Sequence, residues 1–288
     1  MTKIKAAIIG FGVGKKHFEA IHNYKKAEVK IICEKNLKKL SILKKKFPNI
    51  KITNDEKNIF LDKEINLVSI ASYDDDHYSQ ILKCIKNKKN IIVEKPMCLT
   101  LHQLKHIKKM ISKSGLKITS NLVLRVNDLF MNIKKKVMKD KIFYIEADYI
   151  WGRKNKLFGW RSKIKNYSLI LGAGIHVIDL VMWVLKKRPL SVITVANKIA
   201  TSKTIYKKNS MALMIFEFPG NIIAKITANG AAIHKHFHEI KIFTKNKTIN
   251  NTLNGSFIFT KDSIKKNEYS YPDKANRKKL IQNFLDCI

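Results

Sequence analysis

Ala6-Ala7-Ile8-Ile9-Gly10-Phe11-Gly12-Val13-Gly14 joins an apolar run to Lys15–Tyr24, a stretch with helical apolar spacing. A buried strand, a glycine-rich turn and a helix form a phosphate-binding crossover. The glycines let the backbone come close to a pyrophosphate, and the helix start offers free N–H groups and the positive end of its dipole. The spacing is G-x-G-x-G, with Lys15 where the third glycine of the commoner G-x-G-x-x-G falls. Glu34 ends the next strand-like run, twenty residues after Gly14, where an acid takes the ribose hydroxyls of an adenosine. A carboxylate there repels a 2′-phosphate and so favours NAD over NADP, a preference that Lys35, Lys38 and Lys39 blur. Gly10, Phe11, Gly12, Val13, Gly14 and Glu34 are therefore expected to bind a dinucleotide.

Outward from this turn, strand and helix patterns alternate, which is the signature of a parallel sheet covered on both faces. Strands are expected at Lys5–Ile9, Val29–Cys33, Leu67–Ala71, Asn90–Val93 and Leu116–Ser120. Helices are expected at Lys15–Tyr24, Leu37–Phe47, Asp76–Asn87 and Thr100–Ser114, with Asp76 and Thr100 as N-caps. After a further helix at Asp128–Lys139 the pattern changes to short strands: Ile142–Tyr149, Ser191–Ile199, Met211–Phe218, Ile222–Asn229, Glu239–Thr244 and Phe257–Thr260. Several are separated only by a turn, so a mainly antiparallel sheet is expected, with the Ile175–Leu185 helix against it. The fold class is thus α/β, a Rossmann-type doubly wound domain over residues 1–122 followed by a second α/β domain over 123–288. The chain stops abruptly after a helix at Asn276–Cys287, which suits a truncated C-terminus.

Composition narrows the function classes. The formal charge is +35, yet of the 57 basic residues only five are arginine, and the lysines are spread along the whole chain. A nucleic-acid surface concentrates its charge and uses arginine for bidentate phosphate contacts; codon bias in an AT-rich genome explains the lysine better. The field still draws anionic ligands. Cys33, Cys84, Cys98 and Cys287 form no C-x-x-C pair, which suits a reducing cytoplasm. The most apolar run, Ser168–Leu185, contains His176 and Asp179, which argues against a membrane span.

Glu94-Lys95-Pro96 follows the strand Asn90–Val93. A lysine at the carboxyl end of such a strand lies at the ligand crevice of an open α/β sheet, where it can pass a proton to or from a hydroxyl. Ala71-Ser72-Tyr73-Asp74-Asp75-Asp76-His77 follows another strand. Its acids suit a helix N-terminus better than a metal, and His77 suits a role supporting the cofactor crevice. His176 and Asp179 share a helix face, so the carboxylate can orient the imidazole. His234, His236 and His238 alternate with other residues and, if extended, line one face. Same-face strand positions converge poorly on a tetrahedral ion, so a polar sheet face is expected there and no metal site.

These pieces resemble the glucose–fructose oxidoreductase / inositol dehydrogenase / rhizopine catabolism (Gfo/Idh/MocA) family. The resemblance rests on Ile9-Gly10-Phe11-Gly12-Val13-Gly14-Lys15-Lys16-His17, Ser69–His77, Glu94-Lys95-Pro96, Gly159-Trp160-Arg161 and Gly174-Ile175-His176-Val177-Ile178-Asp179, in family order over nearly the whole chain. It implies an open-faced second sheet and NAD(P)-dependent hydride transfer at a carbon of a sugar, cyclitol or nucleotide-sugar. It also implies a homo-oligomer, dimer or tetramer, while the spread charge and the interrupted apolar run lead to the expectation of no nucleic-acid or membrane partner. The family's catalytic lysine falls on Lys95, its active-site histidine on His176 and its helix aspartate on Asp179. Ala71, Ser72, Tyr73, His77, Glu94, Lys95 and Pro96 join the cofactor set. Asn121, Arg125, Trp160, Arg161, Tyr167 and Asp179 are the expected substrate residues. Gly172 stands where the family often carries an aspartate, a departure shared with a subgroup resembling surface-polysaccharide enzymes. That loss motivates a rival reading, a non-catalytic dinucleotide-sensing regulator or scaffold.

Overall fold

The structure, a computed structural model, describes residues 3–269, 271–272 and 276–288. The first of two units runs to Asn121. It contains β1 (Ile4–Ile9), α1 (Gly14–His22), β2 (Ala27–Cys33), α2 (Leu37–Lys46), β3 (Lys51–Thr53), α3 (Lys57–Phe60), β4 (Leu67–Ile70), α4 (His77–Lys86), β5 (Asn90–Val93), α5 (Leu101–Ile111) and β6 (Ile118–Ser120). The six strands are all parallel, in the order β3-β2-β1-β4-β5-β6. Strand order therefore reverses between β1 and β4, the switch point at which an open sheet leaves a crevice beyond its strand ends.

Alternation along the strands supplies both faces of this sheet. Ala6 and Ile8 pack with Phe18 and Ile21 of α1 and Leu43 of α2, while Ala7 and Ile9 pack with Ile59, Ile81 and Cys84 on the opposite side. Thr100 caps α5 as expected: its hydroxyl accepts the Gln103 N–H, and the Gln103 side chain returns to the Thr100 N–H. Asp76 does not cap α4. It has helical backbone geometry, and its carboxylate instead pairs with Lys35 at 3.0 Å.

The second unit begins at Leu122. It contains α6 (Asp128–Val137), β7 (Ile142–Ile150), α7 (Trp160–Lys163), a π-helical turn at Ile170–Gly174 running into α8 (Ile175–Leu185), then β8 (Ser191–Asn197), β9 (Met211–Phe218), β10 (Ile222–Asn229), β11 (Phe237–Thr244), β12 (Thr248–Thr252), β13 (Gly255–Phe259) and β14 (Ile264–Lys266). Its eight strands form one sheet in the order β14-β13-β12-β11-β7-β10-β9-β8, antiparallel except for β10 with β7. One face, carrying Ala147, Tyr149, Met214, Phe216, Ala224, Ile226, Ile240 and Ile242, is buried. Ile215 and Ile223 on the other face remain exposed.

The unit boundary at 121/122 lies beside the expected division at 122/123, but the last helix, α9 (Asn276–Leu285), falls outside the second unit in which it was expected. It groups with the first unit, where Ile281 and Leu285 pack in the layer formed by Ile8, Phe18 and Ile21. An amphipathic helix can be read from sequence, but the core that receives its apolar side cannot. Among the described residues no helix is long and apolar enough to cross a membrane.

Candidate active site

The glycine turn is shaped by close backbone contact. Gly10 adopts φ +83°, and a Cβ on it would lie 2.5 Å from the Ala71 carbonyl oxygen, so no larger residue fits. Gly10 N–H donates to Cys33 O at 2.8 Å and Ala71 N–H donates to Ile9 O at 2.8 Å, drawing together the ends of β1, β2 and β4. Glu34 braces the turn: Oε2 accepts from Phe11 N–H at 3.2 Å and Oε1 from Asn36 N–H at 2.9 Å. A Cβ on Gly12 would meet nothing within 4 Å, so the space over the turn is open. Val13, at the N-cap of α1, makes no side-chain cap bond. An open turn, a helix start without a side-chain cap and a carboxylate at the end of β2 fit a dinucleotide's pyrophosphate and ribose.

Beside this turn, Ser72 donates to Gln80 Oε1 at 2.6 Å, and Tyr73 is exposed. His77 is fully buried, and its Nδ1–H donates to the Pro96 carbonyl at 2.8 Å, joining the start of α4 to the loop after β5. His77 thus supports the Glu94-Lys95-Pro96 turn.

Glu94 is the centre of a buried polar cluster. Its Oε1 accepts from His17 Nε2 at 3.1 Å and from Asn121 Nδ2 at 2.7 Å, and Arg277 Nε of α9 stands 3.3 Å away. Its Oε2 accepts from the Lys95 backbone N–H at 3.3 Å. His17 Nδ1 meets Ser69 Oγ at 2.7 Å. Burial pushes the Glu94 carboxyl up, but the His17 hydrogen bond and charge, with Arg277 and Lys95 behind them, outweigh it and hold the group well below the usual carboxylate range. Asn121, expected among the substrate residues, is 1% exposed with its amide committed to Glu94. His17, Ser69 and Arg277 were outside the expected site; the only sequence hint was His17, a polar residue on the apolar side of α1.

In the second unit His176 stacks on Tyr149, with centroids 6.0 Å apart and rings 7° from parallel, and its ring lies 5.7 Å from His238. Asp179 lies one helical turn beyond His176 on α8. It holds Arg125 in a bidentate ion pair, Nε to Oδ2 at 2.7 Å with Nη2 on Oδ1. That pairing also occupies the Arg125 guanidinium, and the Asp179 hydrogen bond raises its pKa. Arg161 lies over Trp160 at 4.1 Å and Trp151 at 5.1 Å. Of the three alternating histidines only His238 lies within β11, which starts at Phe237, and the His236 and His238 rings stand 5.0 Å apart. His234 is exposed, His236 binds the Trp151 carbonyl at 3.2 Å, and His238 is buried against the Tyr271 hydroxyl. Burial, with Arg153 nearby, lowers the His236 pKa to about 4, so this ring is neutral at physiological pH. Among the described residues no group of three or more His, Cys, Asp or Glu could hold a metal ion.

Gly172 has a local explanation. A Cβ there would stand 2.1 Å from the Tyr167 hydroxyl, so this phenol fills the space a side chain at 172 would need. Gly172→Asp is therefore expected to cost about 2–4 kcal/mol through overpacking. Thermal unfolding checks this: the loss should shrink by at least half when Tyr167→Ala is combined with it, and equal losses in the single and double variants would refute the account.

Two family models cover most of the chain: the oxidoreductase family with an NAD-binding Rossmann fold over residues 4–122, and the GFO/IDH/MocA C-terminal domain over 140–250. The chain is 24% identical over 136 residues to the Escherichia coli (strain K12) oxidoreductase YhhX, covering 46% of this chain and 39% of that one. It is 23% identical over 185 residues to scyllo-inositol 2-dehydrogenase (NADP(+)) IolW of Bacillus subtilis (strain 168), covering 61% and 50%. The matches thus span half or less of these relatives. Among solved structures, myo-inositol 2-dehydrogenase from Lactobacillus plantarum superposes with TM-score 0.83 at 18% identity, covering 99% of this chain and 88% of that one. UDP-N-acetylglucosamine 3-dehydrogenase GnnA from Acidithiobacillus ferrooxidans gives 0.82 at 16% identity, with 100% and 89% covered. With both family domains matched in order over the two units, the chain belongs to the Gfo/Idh/MocA oxidoreductase family.

Proposed function

We propose that this protein transfers a hydride between a nicotinamide dinucleotide and a hydroxyl-bearing carbon of a sugar, cyclitol or nucleotide-sugar. The observation that carries this reading is the position of Lys95. It follows β5, two strands from the glycine turn, on a loop held by Glu94 and His77. A bound nicotinamide supplies a carbon that accepts or returns the hydride. Lys95 takes the hydroxyl proton as the carbon is oxidised and gives it back in reduction. His176 is also proposed to take part in proton exchange. Trp160, Arg161 and Tyr167 form the side from which a polyol is held. Arg125 and Asp179 contribute as a pair, and Asn121 contributes through Glu94. The exposed apolar positions Ile193, Val195, Ile215 and Ile223 on the second sheet suit a second copy of the chain, in keeping with the homo-oligomer that the family resemblance implies.

The test is formation of reduced nicotinamide, followed by absorbance, with NAD or NADP and a panel of inositols, hexoses and UDP-sugars. Turnover with at least one of them is expected. Tight dinucleotide binding without turnover across the panel would instead support a regulator or scaffold. Glu34 makes NAD the preferred partner in this reading. NAD(H) is expected to bind at least about tenfold tighter than NADP(H), a difference of about 1.4 kcal/mol. Glu34→Ala should bring the two within about threefold, as titrated by nicotinamide fluorescence. A wild-type preference for NADP(H) would remove Glu34 from that role.

A further inference from the structure

We propose that His17 is a positioning residue for Lys95, acting through the carboxylate of Glu94. The inference rests on Lys95 being the proton-handling group. His17 lies on α1 just after the glycine turn and is fully buried. An ionised carboxylate only accepts, so His17 Nε2 must carry the hydrogen it shares with Glu94 Oε1 at 3.1 Å. Nδ1 then faces Ser69 Oγ at 2.7 Å, a hydroxyl that serves as donor or acceptor and fixes the ring plane.

The two oxygens of Glu94 have separate duties. Oε1 is held by His17, by Asn121 at 2.7 Å and by Arg277 at 3.3 Å, side chains from α1, the end of β6 and α9. Oε2 reaches the backbone N–H of Lys95 at 3.3 Å. A carboxylate anchored through one oxygen cannot rotate the other away, so the backbone from which the Lys95 side chain starts is fixed by residues remote in sequence. His17 has a particular place among these anchors, because its helix also begins at the glycine turn. The element expected to meet the cofactor is thus joined by one buried hydrogen bond to the residue immediately before the one expected to handle the proton.

His17→Leu removes the donor, and His17→Gln keeps an N–H able to reach Glu94. With a substrate found from the panel above, His17→Leu is expected to lower kcat at least about tenfold with KM for NAD changed less than about threefold, and His17→Gln to stay within about threefold of wild type. A purely structural histidine would lower the melting temperature in both variants and leave kcat of the folded protein unchanged, which would overturn the proposal.

A second readout needs no turnover. Competitive acetylation of the native protein, with each lysine quantified by mass spectrometry, compares Lys95 with Lys225 of the second unit as the internal reference. His17→Leu should change the relative labelling of Lys95 at least about threefold, and His17→Gln should not. Unchanged Lys95 labelling in His17→Leu overturns the proposal. Changed labelling together with full turnover in Lys95→Ala supports the positioning and refutes the catalytic reading, so the two failures can be told apart.

Discussion

Lys95→Ala is expected to lower turnover by at least about a hundredfold while the Kd for NAD(H) stays within about threefold of wild type. The split follows from where the residue sits. The glycine turn, Glu34 and the start of α1 lie at the ends of β1 and β2, whereas Lys95 follows β5. On the proposed reading, the alanine removes a group able to gain and lose a proton beside the carbon that exchanges hydride. Lys95→Arg is expected to be nearly as slow, because a guanidinium keeps its charge but does not give up its proton in this pH range. Steady-state rates with dinucleotide titrations on the same samples provide the check. Wild-type-like turnover in either variant would remove Lys95 from the mechanism.

Gly10→Ala is expected to be the most damaging single methyl in the first unit. The residue sits at φ +83°, and the added Cβ would press on the Ala71 oxygen at 2.5 Å and the Ser72 nitrogen at 2.9 Å, backbone atoms that cannot turn aside. Strain and overlap together should cost about 3 kcal/mol, lowering the melting temperature by roughly 6–12 °C and weakening NAD(H) binding more than tenfold. Gly12→Ala is the matched control. Its Cβ would meet nothing within 4 Å, so the fold should melt as wild type does, and any lost affinity would report on the ligand alone. Equal melting losses at both glycines would refute this separation of fold from binding.

What could be read from sequence followed the strength of local pattern. β5 and α8 occupy the residues expected for them, because each is a clear apolar run bounded by polar residues or glycine. β3, α3 and β12 were not foreseen. Lys51–Thr53 and Lys57–Phe60 are only three and four residues long, and Thr248–Thr252 carries two asparagines. Such segments take their conformation from the neighbours they pair with, which no short window contains. The site divides in the same way. Gly10, Glu34 and Lys95 could be named as candidates because turn chemistry and strand ends mark them locally. The partner of Asp179 was not, since a helix neighbour three residues away and Arg125, 54 residues away, satisfy the same rule of charge. The His17–Glu94 bond crosses 77 residues, and no spacing announces it.

The placement of α9 also bears on how the protein is made. During synthesis the six-stranded sheet emerges first, but the layer containing Ile8, Phe18 and Ile21 lacks Ile281 and Leu285 until the residues from Asn276 onward have left the ribosome. The second unit, complete before that point, can fold while the first still exposes an unfinished apolar surface. A chain that has emerged only to about residue 270 is therefore the form most exposed to chaperones and proteases, and emergence of α9 covers that surface.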